Sequence, residues 1–106
     1  MDKSYRRYEM LLPLRFNDGQ PVSDDLIADT LFELRERFGA VSCETQTTHG
    51  QWQHEGRVYR DDLVRIYLDV PDLPEHREFF RYLKTQLLAR FQQIDIWLTS
   101  YPLDVI

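Results

Sequence analysis

The feature that most constrains this chain is the order in which its hydrophobic patterns follow one another. Segments in which apolar residues alternate with other residues indicate half-buried strands, and segments in which they recur every three or four residues indicate amphipathic helices. Over 106 residues the order is strand, helix, strand, strand, helix, strand. This order predicts one α+β domain, spanning residues 1–106, with a single hydrophobic core.

Four strands are predicted from the alternating pattern. The first covers Tyr8–Phe16 and contains Pro13, which a central strand rarely tolerates, so we expect a bulge or an early end of pairing there. The second covers Val41–Thr47 and directs Cys43 towards the core. A short apolar tail, Tyr101–Ile106, follows the fourth strand. The residues predicted to face the core from the first, third and fourth strands are Met10, Leu12, Val64, Ile66, Leu68, Ile94, Ile96 and Leu98.

Two helices are predicted, the first with both ends and the second with its start. The first runs from Ser23, a favourable N-cap, to Phe38, and Gly39 is suited to the left-handed position that follows. The second opens at Pro74, with Asp72 or Leu73 as its cap, because proline is favoured in the first helical turn. Its predicted buried stripe consists of Phe80, Leu83, Leu87 and Phe91.

The segment His49–Tyr59 predicts a hairpin that protrudes from the main sheet. Glu55 and Gly56 would form its tip, and Gly50 would be a bulge or bend. Tryptophan and histidine on such a hairpin can line a pocket or anchor a partner. The candidate binding residues are therefore His49, Trp52, His54 and Tyr59, with the alternative that Trp52 only covers one end of the core.

Several classes of function are disfavoured. The formal net charge of −5 argues against a nucleic-acid partner, and the segment Asp62–Asp69 lacks the glycine and basic flank of an RNA-binding strand. His49 and His54 would point to opposite faces, and no Cys/His cluster has zinc-site spacing, so neither a metal nor a cofactor is expected. Asp61 and Asp62 should diverge as neighbours on a strand, so we expect both carboxylates to be solvated and not to form an acid/base pair.

The cellular setting follows from the same composition. A single cysteine, Cys43, excludes an intrachain disulfide. The first seven residues lack the apolar core of a signal peptide, and no apolar run approaches the length of a membrane span. We therefore expect a soluble, cytoplasmic protein.

A homodimer is predicted from the face of the sheet that the helices leave open. Residues between the inward positions lie on that face, and they are largely apolar or aromatic, which is unusual for a solvated surface. A symmetric dimer would cover the same patch on both chains. The alternative is that the tail, Leu103–Ile106, folds over the face of its own chain. The predicted interface residues are Leu11, Leu63, Arg65, Tyr67, Trp97 and Tyr101.

The element order from Tyr8 to Tyr101 is that of a ferredoxin-like βαββαβ sandwich, with a four-stranded antiparallel sheet and two helices on one face. More broadly, the layout resembles the dimeric α/β-barrel superfamily, in which two such units pack sheet against sheet. This resemblance implies monooxygenase, isomerase or ligand-sensing functions, and it assigns no catalytic residue here.

Two functions are therefore open. The preferred hypothesis is a non-enzymatic homodimeric module that binds a small ligand or a protein partner. The alternative is a cofactor-free enzyme of the dimeric α/β-barrel type, monooxygenase-like or isomerase-like. It would use His49 or His54 as general base, with Trp52 and Tyr59 as the walls of its pocket. A pocket in which a histidine faces a second polar group would favour the enzyme.

Overall fold

The computed structural model describes residues 4–44 and 46–106, which fold into five strands and two helices. The strands form one antiparallel sheet, and the elements follow in the order βαβββαβ, which is the predicted βαββαβ order with one additional strand, so the predicted ferredoxin-like α+β sandwich is confirmed. The elements in chain order are β1 (Ser4–Pro13), α1 (Asp24–Phe38), β2 (Ser42–Cys43), β3 (Thr48–His54), β4 (Arg57–Pro71), α2 (Pro74–Arg90) and β5 (Leu98–Asp104).

The long strand β4 organises the sheet. The strand order is β2-β4-β1-β5, and β3 pairs with the N-terminal half of β4, where Thr48 lies opposite Leu63 and His54 opposite Arg57. The C-terminal half of β4 pairs with β1, from Leu63 opposite Pro13 to Pro71 opposite Tyr5. One strand thus belongs both to the main sheet and to a hairpin that extends from it, and the molecule is 49 Å long but 29 and 25 Å across.

Both ends of α1 and the start of α2 agree with the prediction. The Ser23 hydroxyl accepts a hydrogen bond from the Asp25 N–H at 3.2 Å, and Gly39, at a φ of 86°, donates its N–H to the Arg35 carbonyl at 2.8 Å. In α2, Leu73 occupies the N-cap position and contributes no side-chain hydrogen bond. The predicted stripe is buried, and it packs against Tyr8, Met10, Leu12 and Ile66 of the sheet. Its residues are Phe80, Leu83, Leu87 and Phe91.

The first strand ends at Pro13, before the predicted end at Phe16. Of the two expectations for Pro13, a bulge or an early end of pairing, the second is therefore correct. The Leu11 N–H donates to the Trp97 carbonyl at 3.1 Å, on the β5 side of β1, whereas the Leu14 N–H donates to Asp62 at 2.8 Å on the β4 side. Residue 13 would direct an N–H to the same side as Leu11. The paired residues of β1 and β5 end where Met10 faces Leu98. Position 13 lies beyond this pair, so the N–H group that proline lacks is not needed for a hydrogen bond to β5.

The predicted second strand is wrong in its extent. Pairing with β4 covers only Ser42 and Cys43, and a new strand, β3, begins at Thr48, so the sheet has five strands where four were predicted. Cys43 is exposed, in contrast to its predicted place in the core, because β2 forms the edge of the sheet beyond the packed residues. Thr45, also in the predicted strand, lies outside the described residues.

The predicted fourth strand lies too early in the chain. Ile96 is buried and Leu98 packs against the core, but Ile94 is exposed, and the strand itself runs from Leu98 to Asp104. The segment interpreted as a tail is therefore the edge strand β5, paired with β1 from Asp104 opposite Ser4 to Leu98 opposite Met10. An edge strand tolerates proline, so Pro102 is compatible with this position. The alternative in which Leu103–Ile106 covers the open face is wrong for Leu103 and Asp104.

No helix in the described part of the chain is long and apolar enough to cross a membrane.

Candidate functional site

The hairpin that extends from the sheet, called the arm here, comprises Thr48–Leu63. Its tip is formed by Glu55 and Gly56, with φ angles of 50° and 77°, as predicted. The pairing of β3 with β4 is continuous, so of the two roles expected for Gly50, a bulge or a bend, the bulge is wrong. Gly50 has a different role. A Cβ atom there would lie 3.0 Å from the Leu63 Cδ1 atom, so the missing side chain leaves room for Leu63 at the base of the arm.

A cavity of about 400 Å³ lies between the arm and the connection from α2 to β5. Its floor is apolar and belongs to the open face of the sheet: Leu11, Pro13 and Leu63. Residues that face each other on paired strands, and every second residue along one strand, lie on the same side of a sheet. Asp61 is two residues from Leu63 on β4, so both lie on the open side of the sheet. The sheet therefore forms the floor of the cavity, and the arm forms one of its walls.

The arm wall consists of Gly50, Gln51, Trp52 and Asp61. The Trp52 indole is fixed on two sides: its Nε1–H donates to Asp61 Oδ2 at 2.6 Å, and its ring stacks on Tyr59 with centroids 4.3 Å apart and planes 14° from parallel. The Arg57 guanidinium lies 5.0 Å from the Tyr59 ring centre. These contacts orient the indole before any ligand is present.

The opposite wall is formed by the α2–β5 connection and contains Gln93, Asp95, Ile96 and Trp97. Asp95 Oδ1 accepts the Ile96 N–H at 2.9 Å and lies 3.0 Å from the Lys84 ammonium of α2. Trp97 is 66% exposed although its backbone carbonyl is bonded to β1. A second large aromatic side chain is therefore held at the cavity with its ring accessible.

The four candidate binding residues are not brought together. Trp52 lines the cavity and Tyr59 supports it from behind. His54 lies beside the tip, with its ring centre 6.4 Å from that of Trp52. His49 lies on the other face of the arm, where its Nδ1 is 2.6 Å from Asp62 Oδ1, and its side chain is 82% exposed. As predicted, the two histidines and the two adjacent aspartates diverge.

Sequence reasoning missed the polar residues of the cavity. Asp61 was interpreted as a solvated carboxylate, but it faces Gly50 across the arm and bonds the neighbouring Trp52. The signal was available in principle: a hairpin tip at Glu55 and Gly56 implies this register. Asp95 carried no such signal, because its position depends on how the α2–β5 connection packs against a distant arm.

The other half of the open face is charged. Arg7 donates to both carboxylate oxygens of Asp69, at 2.7 and 3.0 Å, and Arg65 bonds Glu9 and, at 2.7 Å, Glu44. The two guanidinium groups lie 4.7 and 4.1 Å from the centre of the Tyr67 ring. The expectation of a largely apolar face therefore applies only to the half around Leu11, Leu63 and Trp97.

Glu9 is the electrostatic centre of this charged half. Hydrogen bonding to Arg65 is the main cause of a lowered pKa of the Glu9 carboxyl, and it outweighs burial, which acts in the opposite direction. The Tyr101 hydroxyl adds a hydrogen bond to Glu9 at 2.7 Å. In turn, the hydrogen bond to Glu9 raises the pKa of Arg65, and the hydrogen bond to Asp69 raises the pKa of Arg7.

Comparison with known proteins identifies the fold class and no family. No family model and no curated protein matches the chain. Among solved structures, a phage SAM lyase in complex with S-methyl-5′-thioadenosine has a TM-score of 0.69 at 13% identity and covers 99% of this chain and 92% of its own. The same kind of enzyme in its apo state has a TM-score of 0.66 at 15% identity, covering 99% and 93%.

A third similar structure is CutA from Synechococcus elongatus, with a TM-score of 0.59 at 9% identity over 94% of this chain and 77% of that one. At these identities the similarity establishes a shared fold. It assigns no activity, since one fold supports many functions.

Proposed function

We propose that this protein is a homodimeric module that binds a small molecule in the cavity between the arm and the α2–β5 connection. The observation that carries the proposal is the cavity itself, in which Trp52 and Trp97 stand on opposite walls above an apolar floor. Its volume of about 400 Å³ lies in the range of small-molecule sites, roughly 300–1,000 Å³. A few polar groups at an apolar pocket are also typical of such sites.

The preorganised Trp52 supports ligand binding rather than a purely structural role for this side chain. It lies outside the hydrophobic core and contacts its own arm. An aromatic ring that is already fixed loses little conformational entropy when a ligand packs against it. The fold is also compatible with this use, because the similar phage SAM lyase was solved with a nucleoside thioether bound.

The enzymatic alternative requires a base at the cavity. His49 is paired with Asp62 on the arm face opposite Trp52, and His54, whose Nε2 lies 3.8 Å from Glu55 Oε1, is beside the hairpin tip. Among the described lining residues there is no histidine. The geometry thus favours a binding module over an enzyme that uses a hairpin histidine.

The second copy is proposed to pack on the open face. This face carries both positive and negative side chains. The positive ones are Arg7 and Arg65, and the negative ones are Glu9, Glu44 and Asp69. A two-fold axis can therefore place the patch against itself without uniform repulsion. Trp97 and Tyr101 remain exposed beside it, and tryptophan, tyrosine and arginine are enriched in interface cores. Such a dimer would also cover the open side of the cavity.

A nuclear magnetic resonance screen tests the ligand site. The chain has two tryptophans, so a ¹H–¹⁵N spectrum contains two indole signals, one on each wall of the cavity. A library of aromatic fragments of different charge should contain compounds that shift both signals. Trp52→Ala should abolish this binding, whereas Tyr82→Ala, at an exposed position on α2, should preserve it. Binding that persists in Trp52→Ala, or a library that leaves both signals unmoved, contradicts the proposal.

A further inference from the structure

The cavity also carries information about the charge of its ligand. We infer that it selects a planar aromatic ligand that carries a positive charge, an inference that rests on the proposed function of the cavity as a small-molecule site. It follows from two independent properties of the lining: the sign of its charged groups and the kind of aromatic surface that it presents.

The charged side chains of the lining are both acidic. Asp61 stands on the arm wall and Asp95 on the opposite wall, and the described lining residues include no lysine or arginine. Lys84 approaches Asp95 from α2, at 3.0 Å from Oδ1, but it is not part of the lining. An anionic ligand would therefore meet two carboxylates without a lining cation, and a cationic ligand would be attracted from both sides.

Neither carboxylate is fully used by the protein. An ionised carboxylate has about four acceptor sites. Asp61 gives one of them to the Trp52 indole at 2.6 Å, through Oδ2. Asp95 uses Oδ1 for the Ile96 N–H and for Lys84. Acceptor capacity thus remains on Asp61 Oδ1 and on Asp95 Oδ2, and it suits a ligand that carries N–H donors or a cationic centre.

The aromatic surface favours the same ligand. Tryptophan provides the strongest cation–π interaction among the aromatic side chains. Tyr59 stacks on Trp52 and has the Arg57 guanidinium 5.0 Å from its ring centre, so the arm already places a cation at one of its aromatic rings. A flat cationic ligand between Trp52 and Trp97 would make the same kind of contact. The apolar floor of Leu11, Pro13 and Leu63 would cover the edge of its ring.

Three compounds with one ring system test the charge preference: the 2-methylisoquinolinium cation, uncharged isoquinoline at neutral pH, and the isoquinoline-3-carboxylate anion. Each is titrated into the full chain while the two indole signals are followed. The cation should bind about tenfold more tightly than isoquinoline, the gain expected from cation–π and coulombic attraction. The anion should bind most weakly.

Conservative variants identify the responsible groups. Asp61→Asn and Asp95→Asn should each weaken binding of the cation by about three- to tenfold and leave isoquinoline unaffected. Asparagine retains an oxygen acceptor for Trp52 or for the Ile96 N–H, so the walls should keep their shape, which the unchanged indole signals of the free variants would verify. Asp104→Asn, the same change of charge at the far end of β5, is the matched control and should have no effect.

The outcomes separate this inference from the proposal beneath it. If isoquinoline or the anion binds as tightly as the cation, or if the asparagine variants weaken all three compounds alike, the charge preference is wrong while the cavity remains a ligand site. If none of the three compounds moves either indole signal and the fragment library also fails, the ligand site itself is wrong and the inference falls with it.

Discussion

Phe80 shows how one residue position connects helix and sheet. Its ring lies parallel to that of Tyr8, with centroids 3.9 Å apart, and to that of Phe38, 5.5 Å away. It is 2% exposed. A strand, α1 and α2 therefore meet at one side chain, and the position combines a large apolar area with specific aromatic packing.

We predict that Phe80→Ala lowers the free energy of unfolding by about 3–5 kcal/mol, the usual effect of removing a core phenylalanine. This is a large part of a typical stability of about 5–15 kcal/mol. Chemical denaturation measures it. Tyr82→Ala, two residues along the same helix but 57% exposed, should change the stability by about 0.5 kcal/mol or less. A loss below about 1 kcal/mol for Phe80→Ala would contradict this packing.

Glu9 is the residue through which the open face depends on pH. Its carboxyl is bonded to Arg65 and Tyr101, and the resulting pKa lies below the ordinary value of 4.5. A carboxylate whose pKa is lowered by folding stabilises the folded chain above its unfolded pKa. That stabilisation is lost as the pH falls through the lower, folded value.

We predict that Glu9→Gln destabilises the protein by about 1 kcal/mol at neutral pH, as for a half-buried ion pair. The difference between wild type and variant should shrink towards zero as the pH is lowered through about 4 and below. Urea unfolding at a series of pH values measures this. Glu36→Gln, at an exposed site on α1, should stay within about 0.5 kcal/mol of wild type at neutral pH. A pH-independent effect of Glu9→Gln would argue against the ionised network.

Among the elements, the arm is the one that is least tied to the core. Its strand β3 pairs with β4, and none of its residues from Thr48 to Arg57 belongs to the buried cluster or packs on it. Trp52 is held by Asp61 and Tyr59, both within the arm. Elements with few core contacts contribute little to global stability and open locally at lower free energy.

We predict that Trp52→Ala changes the free energy of unfolding by less than about 1 kcal/mol and abolishes ligand binding at the cavity. The sequence alone also suggested that His54→Ala would abolish binding. Its position beside the tip leads us instead to expect a smaller effect than for Trp52→Ala. Thermal melting followed by circular dichroism gives the stability. If Trp52→Ala unfolds the domain, Trp52 is a structural residue and the site proposal is wrong.

At the scale of the whole molecule, the open face combines the cavity with the charged network. Of the predicted interface residues, Leu11, Leu63 and Trp97 line the cavity, whereas Arg65 and Tyr67 belong to the network and Tyr101 bonds Glu9. A dimer through this face would therefore bury the ligand site and the network together. Oligomeric state and ligand binding should then be coupled.

We predict a dimer mass by light scattering at micromolar concentration, converted to a monomer by Trp97→Glu or Tyr67→Glu, since each places an unpaired charge in the proposed interface. Phe32→Glu is the matched control: Phe32 is 56% exposed on α1, on the helical side of the molecule, and its replacement should leave the mass unchanged. A monomer mass for the wild type that Trp97→Glu does not alter would refute the dimer.

The sequence by itself determined those features that depend on near neighbours in the chain. The cap at Ser23, the glycine at position 39 and the stripe from Phe80 to Phe91 are each specified within a few turns of helix. The tip at Glu55 and Gly56 is likewise local. Because these signals follow one another in order, they also determined the class of fold.

Only the tertiary structure decided which partner each apolar or polar surface meets. Ser4 pairs with Asp104, and this pairing makes β5 continue into a segment that the sequence indicated as a short apolar tail. The alternating pattern predicted that Cys43 faces the core, but such a pattern does not show where the sheet ends. Cys43 lies at the edge of the sheet and is exposed. The cavity depends on the distance between an arm and a connection whose nearest wall residues, Asp61 and Gln93, are 32 positions apart in the chain. The hydrophobic pattern of a helix or strand shows which of its sides is apolar. Which other segment packs on that side depends on contacts between residues that are far apart in the chain.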